Sequence, residues 1–206
     1  MAYLQAAEYQ LYGLGAETAD ATVAMASALM EGHCRRPTLM AAQYTERVRL
    51  TVSAQTARLS YGPLQTGALL SVRARYARGR RGDQSELSGA GFGMQIATAF
   101  GLPGTWSVLD VATIDVNESA REVMFAANLL GIAYNEAEIV YTAGFVTVPD
   151  QIKFACAQIV RNAQATPALN VSRTRIDTMQ MEYFSSSLLD ESVRQLLKPY
   201  VAEKLG

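Results

Sequence analysis

Residues 136–163, EAEIVYTAGFVTVPDQIKFACAQIVRNA, hold the strand-to-helix passage from which the fold is read. Glu136 to Thr142 reads as a strand that stops at Ala143 and Gly144. Pro149 and Asp150 then open a helix. A proline in the first turn loses no needed donor, and an acid there suits the helix dipole. Ile152, Cys156, Ile159, Val160 and Ala163 form one apolar face, and Pro167 lies beyond the end.

Upstream, residues 16–34 are also helical in pattern, with Ala19, Val23, Ala26, Met30 and His33 on one face and Pro37 as the stop. A short helix over 5–12 is ended by Gly13 and Gly15. Between these helices and residue 136 the texture is that of strands. YTERVRLTV (44–52), ARLSY (57–61) and WSVLDVATIDV (106–116) are candidates. LLSVRARY (69–76) sets Leu70, Val72, Ala74 and Tyr76 against Ser71, Arg73 and Arg75. Helix and strand signals compete over 122–134. Downstream, 173–184 reads as one polar strand with Met179, Met181 and Tyr183 on a single side. Ser187, with Asp190 three residues on, resembles the capping box of a last helix over 188–198.

These elements predict an α+β protein. A helical bundle part is formed by the N- and C-terminal regions, 1–43 and 148–206. A β-rich domain, 44–147, is inserted between them and carries a Gly-rich loop at 82–104, where six of the fifteen glycines fall.

Composition narrows the function classes. Half of the 206 residues are hydrophobic and 18% are charged, enough to build a core. The net charge of −1 does not mark a nucleic-acid binder. The longest apolar run, Val123 to Tyr134, is broken by Asn128 and is too short for a bilayer. The first basic residue is Arg35, so no signal peptide is expected. Cys34 and Cys156 read as reduced thiols. A triad hydrolase would have to use His33, the one histidine, and a zinc site would need more ligands than are present. No enzyme, metal or cofactor is expected.

The charge is nonetheless patterned. Residues 1–34 carry four acids and neither Lys nor Arg. Residues 35–81 carry ten Arg and one acid, and 82–206 carry eight basic and fourteen acidic residues. Such asymmetry suits complementary faces that meet within a fold or between copies. Arg73, Arg75, Arg78, Arg80 and Arg81 form the densest basic run. They can serve as phosphate contacts or as a protein–protein face, and the acidic flanks favour the latter. GAGFG (89–93) has neither nucleotide-loop spacing and reads as a flexible loop. Cys34, beside Arg35 and Arg36, reads as part of a basic helix end, because a helix C-terminus raises a thiol pKa.

The order HCRRP (33–37), YTERVRL (44–50), IVYTAGF (139–145), VPDQIKFACAQIV (148–160) and LLKPY (196–200), with AEYQLYG (7–13) at the start, resembles the head–tail connector, or adaptor, proteins of long-tailed bacteriophages. The resemblance covers 3–60 and 136–201 and is weak across 77–135. It implies a homo-oligomeric ring, typically of twelve copies, docked under the portal protein in the virion neck after assembly in the host cytoplasm. DNA would pass through the lumen without sequence-specific binding. A tail, stopper or tail terminator protein would bind the far side, with no membrane involved. The family's C-terminal contact with the portal would place docking on Leu189, Val193, Leu196, Leu197 and Tyr200. Deleting 187–206 would then abolish portal binding and leave the subunit folded. The alternatives are a tail terminator or completion ring and a DNA-binding module using the Arg73–Arg81 face.

Overall fold

The structure, a computed structural model of the chain, describes residues 2–50, 55–75, 99, 104–126, 134–165 and 188–203, with the backbone alone of 173–176 and 179–182. The chain divides into two compact units. One comprises 1–40 and 145–202, the other 41–144 and 203–206.

The second unit is built chiefly of strands among its described residues. Strands β1 (Ala42–Arg49), β7 (Glu136–Ala143), β3 (Leu64–Arg75) and β4 (Ser107–Leu109) lie in that order in an antiparallel sheet. Strands β2 (Thr56–Arg58), β6 (Glu122–Met124) and β5 (Asp115–Asn117) form a second antiparallel sheet. β7 is paired on both sides, and its period of two is strict: Ala137, Ile139, Tyr141 and Ala143 are fully buried. They share one core with Val72 and Ala74 of β3, Val123 of β6, and Leu59, Ile114 and Phe125 beside the second sheet. Gly144, at φ 120°, lets the chain leave β7 while its N–H donates to the Pro63 carbonyl at 3.0 Å.

A polar knot closes this core. The Tyr141 hydroxyl donates to Glu46 and accepts the Tyr61 N–H at 3.3 Å. The Glu46 carboxylate also takes the Ser60 N–H at 3.2 Å and the Ser60 hydroxyl at 2.9 Å. Burial, followed by the bond to Glu46, pushes the Tyr141 phenol far above its ordinary pKa. The Tyr44 and Tyr61 rings stack at 4.0 Å.

The first unit holds α1 (Asp20–His33), α2 (Asp150–Ala165) and the two-turn α3 (Glu191–Leu197), with a hairpin of β8 (Arg173–Ile176) and β9 (Met179–Glu182) between α2 and α3 in sequence. Val23, Ala26 and Met30 of α1 meet Ile152, Ala155, Cys156, Ile159 and Val160 of α2 and Val193 and Leu197 of α3. Tyr3, Leu4, Tyr9, Tyr12 and Leu14 complete the same core. The tyrosine hydroxyls also tie down helix starts: Tyr9 donates to Asp20 at 2.7 Å and Tyr12 to Asp150 at 2.8 Å. Both acids sit in first turns, where the dipole already favours them.

The expected helical bundle with an inserted domain is therefore corrected. The protein is mostly β-sheet, with nine strands among the described residues, seven of them in two antiparallel sheets and two in a hairpin, against three short helices. The physical reason lies in what covers the helices. The apolar sides of α1 and α2 are closed by the tyrosine-rich segment 3–14 and by Val193 and Leu197 of the short α3, not by a set of long helices. That segment forms two 3-10 turns, Ala6–Glu8 and Gln10–Tyr12, ended by Gly13 at φ 76°.

Three smaller readings change as well. The strand expected over 106–116 splits into β4 and β5 around a 3-10 turn at Val111–Thr113, because the Asp110 side chain accepts the Ala112 N–H at 3.0 Å. Residues 173–182 form a hairpin in which Arg173 faces Glu182 and Ile176 faces Met179. The cap of α3 is Asp190, which accepts the Val193 N–H at 2.8 Å and the Ser192 hydroxyl at 2.7 Å. Burial works to raise the Asp190 pKa, but these bonds and those from Asn162 and Gln158 outweigh it and hold the group below the usual carboxylate range.

Leu197 is fully buried, whereas Leu196 is more than a third exposed. Leu197→Ala should therefore destabilise the protein by about 2–4 kcal/mol. Leu196→Ala should stay within about 0.5 kcal/mol. Urea unfolding followed by circular dichroism separates the two; equal losses would place α3 outside the core.

Candidate functional site

The outer face of the four-stranded sheet gathers most of the charge on the described strands of the second unit. Because β7 buries its odd-numbered residues, Glu136 and Glu138 point outward. β1 sets Arg47 opposite Glu138 and Arg49 opposite Glu136. β3 sets Arg73 opposite Glu138 and Arg75 opposite Glu136. Residues directly opposite share a face, so two carboxylates stand between four guanidinium groups. Arg73 Nη2 lies 2.6 Å from Glu138, Arg75 Nε lies 2.7 Å from Glu136, and Arg47 reaches diagonally to Glu136. Arg49 is exposed and has no ion pair among the described residues.

Trp106, just before β4, is the hub of the cluster. The guanidinium carbons of Arg75, Arg73 and Arg47 lie 4.4, 5.0 and 5.3 Å from its ring centroid. Each contact is a cation–π attraction, worth about 0.5–1 kcal/mol at an exposed site. The Arg47 bond is the largest influence on Glu136; burial opposes it, Arg75 adds to it, and the carboxyl is held below its ordinary pKa. The face is internally paired, with two positive charges in excess.

Of the five arginines singled out in the sequence, Arg73 and Arg75 are here, and Arg78, Arg80 and Arg81 lie outside the described residues. Sequence reasoning missed Arg47, Arg49, Trp106 and the paired carboxylates. The signal was present: Arg47 and Arg49, like Arg73 and Arg75, are two residues apart, and so are Glu136 and Glu138.

The docking candidates separate by burial. Val193 and Leu197 are fully buried, Leu189 and Tyr200 pack partly buried against the same core, and Leu196 is exposed. A chain cut at 186 loses Val193 and Leu197 from the core, so deleting 187–206 alters folding before it tests docking.

Some of the segments that carry the adaptor resemblance, those at 33–37, 139–154 and 196–200, meet at or beside Phe145. Its N–H donates to the Leu39 carbonyl at 3.0 Å, and Met40 bridges to it as an isolated β-pair. The Phe145 ring sits edge-on to Tyr200 at 5.3 Å, and the Tyr200 hydroxyl donates to Gln151 at 2.6 Å. The Ala202 N–H donates to the Cys34 carbonyl at 2.9 Å.

Cys34 and Cys156 are buried. Burial pushes the Cys34 thiol up to about 11 against the opposing pull of Arg36, and burial also raises Cys156. Both are thiols at neutral pH, and the thiolate is the nucleophile. The GAGFG loop lies outside the described residues. Among the described residues no group of three His, Cys, Asp or Glu side chains is placed to hold a metal, and no helix is long and apolar enough to cross a membrane. No protein-family model matches the chain, and no curated protein matches it.

Glu136 has a depressed folded-state pKa, so its stabilisation is present above the unfolded value and is lost as pH falls through the folded one. Glu136→Gln should cost about 1.5 kcal/mol at neutral pH. The gap to wild type should close as pH falls below the ordinary carboxylate range. Urea midpoints across that range check it; a gap that stays constant would remove the ion pairs from the account.

Proposed function

We propose that this chain is a structural head–tail adaptor of a phage particle. Its subunits form a ring beneath the portal, extend the DNA channel and present a surface to tail, stopper or terminator proteins. The protein works in the virion neck and is assembled in the host cytoplasm.

The observation that carries this reading is the convergence on Phe145. HCRRP, the neighbouring pair IVYTAGF and VPDQIKF, and LLKPY come from three distant stretches, yet Tyr200 meets both Phe145 and Gln151, Phe145 meets Leu39 just after HCRRP, and Cys34 meets Ala202 just after LLKPY. Residues that resemble a family because they maintain one packed junction are expected to meet in this way. Scattered chance similarities have no reason to.

The arginine face also suits a protein contact better than a DNA groove. A phosphate approaching Arg73 or Arg75 meets Glu138 and Glu136 within 3 Å of the same guanidinium groups. Those carboxylates already take the best donor geometry and repel a second anion. This favours the adaptor over a DNA-binding module.

Native mass spectrometry of the chain mixed with its cognate portal protein tests the proposal. The expected species is a portal complex carrying about twelve copies, as closed symmetric docking demands. No complex, or a free ring of about six copies that ignores the portal, would overturn it; the latter is what a tail-side ring predicts.

A further inference from the structure

The β unit has a second charged face. Asp115 and Asn117 of β5 and Glu122 and Met124 of β6 alternate with buried or half-buried Val116 and Val123, so they point out of the three-stranded sheet. Glu118 lies in the exposed turn between the two strands. Asp115, Glu118 and Glu122 are all exposed, and none has an ion pair among the described residues. Arg58 stands cross-strand from Glu122 on this face, and it and Arg121 share Glu203 at 3.2 and 2.7 Å, so Asp115, Glu118, Glu122 and Glu203 outnumber the two cations by two.

The two sheets enclose one core, so this acidic face and the arginine face look away from it on opposite sides. Each face also carries one exposed apolar side chain among its charges. Val108, cross-strand from Arg73, is 83% exposed, and Met124, cross-strand from Asp115, is 52% exposed. An excess of positive charge around an apolar contact on one side is matched by an excess of negative charge around another on the other side.

We propose that these faces bind a second copy of this chain head to tail, the arginine face of one copy on the Asp115–Glu118–Glu122 face of the next. Face-to-same-face pairing would set like charges against each other, which costs several kcal/mol across an interface. Head-to-tail pairing satisfies Arg49 and the excess charge of the cluster. A heterologous contact of this kind leaves one free face at each end and therefore propagates into a ring or an open chain. The inference deepens the adaptor reading by naming its subunit interface. Closure into a ring rests on that reading, but the contact itself does not.

Two double variants test it, each blocking one face at exposed positions. Arg49→Ser with Val108→Asp blocks the basic face, and Asp115→Lys with Glu118→Lys blocks the acidic one. Sedimentation velocity of the full chain at low salt should show wild type larger than a monomer and each variant alone as a monomer. An equimolar mixture of the two should give a dimer and nothing larger, because one complementary pair of faces remains. The dimer also shows that both variants are folded. Wild type should dissociate toward monomer at about 1 M salt, where screening is nearly complete over about 3 Å. Monomeric wild type at low salt, variants that keep the wild-type size, or a mixture that stays monomeric would each overturn the interface. The two proposals fail separately. Wild type that associates through these faces but ignores the portal overturns only the adaptor reading. Variants that still load onto the portal as full rings overturn only this interface.

Discussion

The β unit depends on one strand. β7 is bonded along its length to β1 and over most of it to β3, whereas β3, the other long strand with two neighbours, meets β4 over three residues only. Its inward side chains are fully buried, and its outward Glu136 and Glu138 are gripped by arginines from both neighbours. The same eight residues thus supply the middle of the core and the negative centre of the surface cluster. A one-residue slip in register would bury two carboxylates and expose Ile139 and Tyr141, so both faces enforce the same pairing.

The electrostatics follow from that strand. The basic stretch 35–81 and the acidic stretch after residue 82 look like separate patches when read along the chain. The fold places Glu136 and Glu138 between Arg47, Arg49, Arg73 and Arg75, so much of the contrast is settled inside one sheet. What remains is a modest excess on each side of the unit. Trp106 lets three guanidinium groups crowd together by giving each a π face to lie against.

Legibility in the sequence tracked the strength of the local signals. Residues 150–163 were readable as a helix because a proline, a first-turn acid and an apolar face agreed, and α2 runs Asp150–Ala165. β7 was readable almost to the residue. The helical bundle was not there, because patterning shows that a helix has an apolar side but not what covers it. Tyr3, Tyr9 and Tyr12 do that covering from 3-10 turns and coil, a role with no periodic signature. The split at Asp110 and the cap at Asp190 were missed because a single Asp side chain outcompeted the expected pattern. For the site, the run Arg73–Arg81 drew attention by density, whereas Arg47, Arg49 and the Glu pair were dispersed and acquired meaning through strand register alone. Similarly, Val193 and Leu197 had the spacing of a docking face because core-facing and partner-facing residues share one helical period.

The central proposal is that this chain joins two preformed assemblies. Electron microscopy of particles produced with the chain absent measures this most directly. The account predicts heads and tails of normal length, both present and unjoined, because only the docking surface is missing. Joined particles would contradict it, as would tails of uncontrolled length, which would mean that the chain ends a tail rather than receives one.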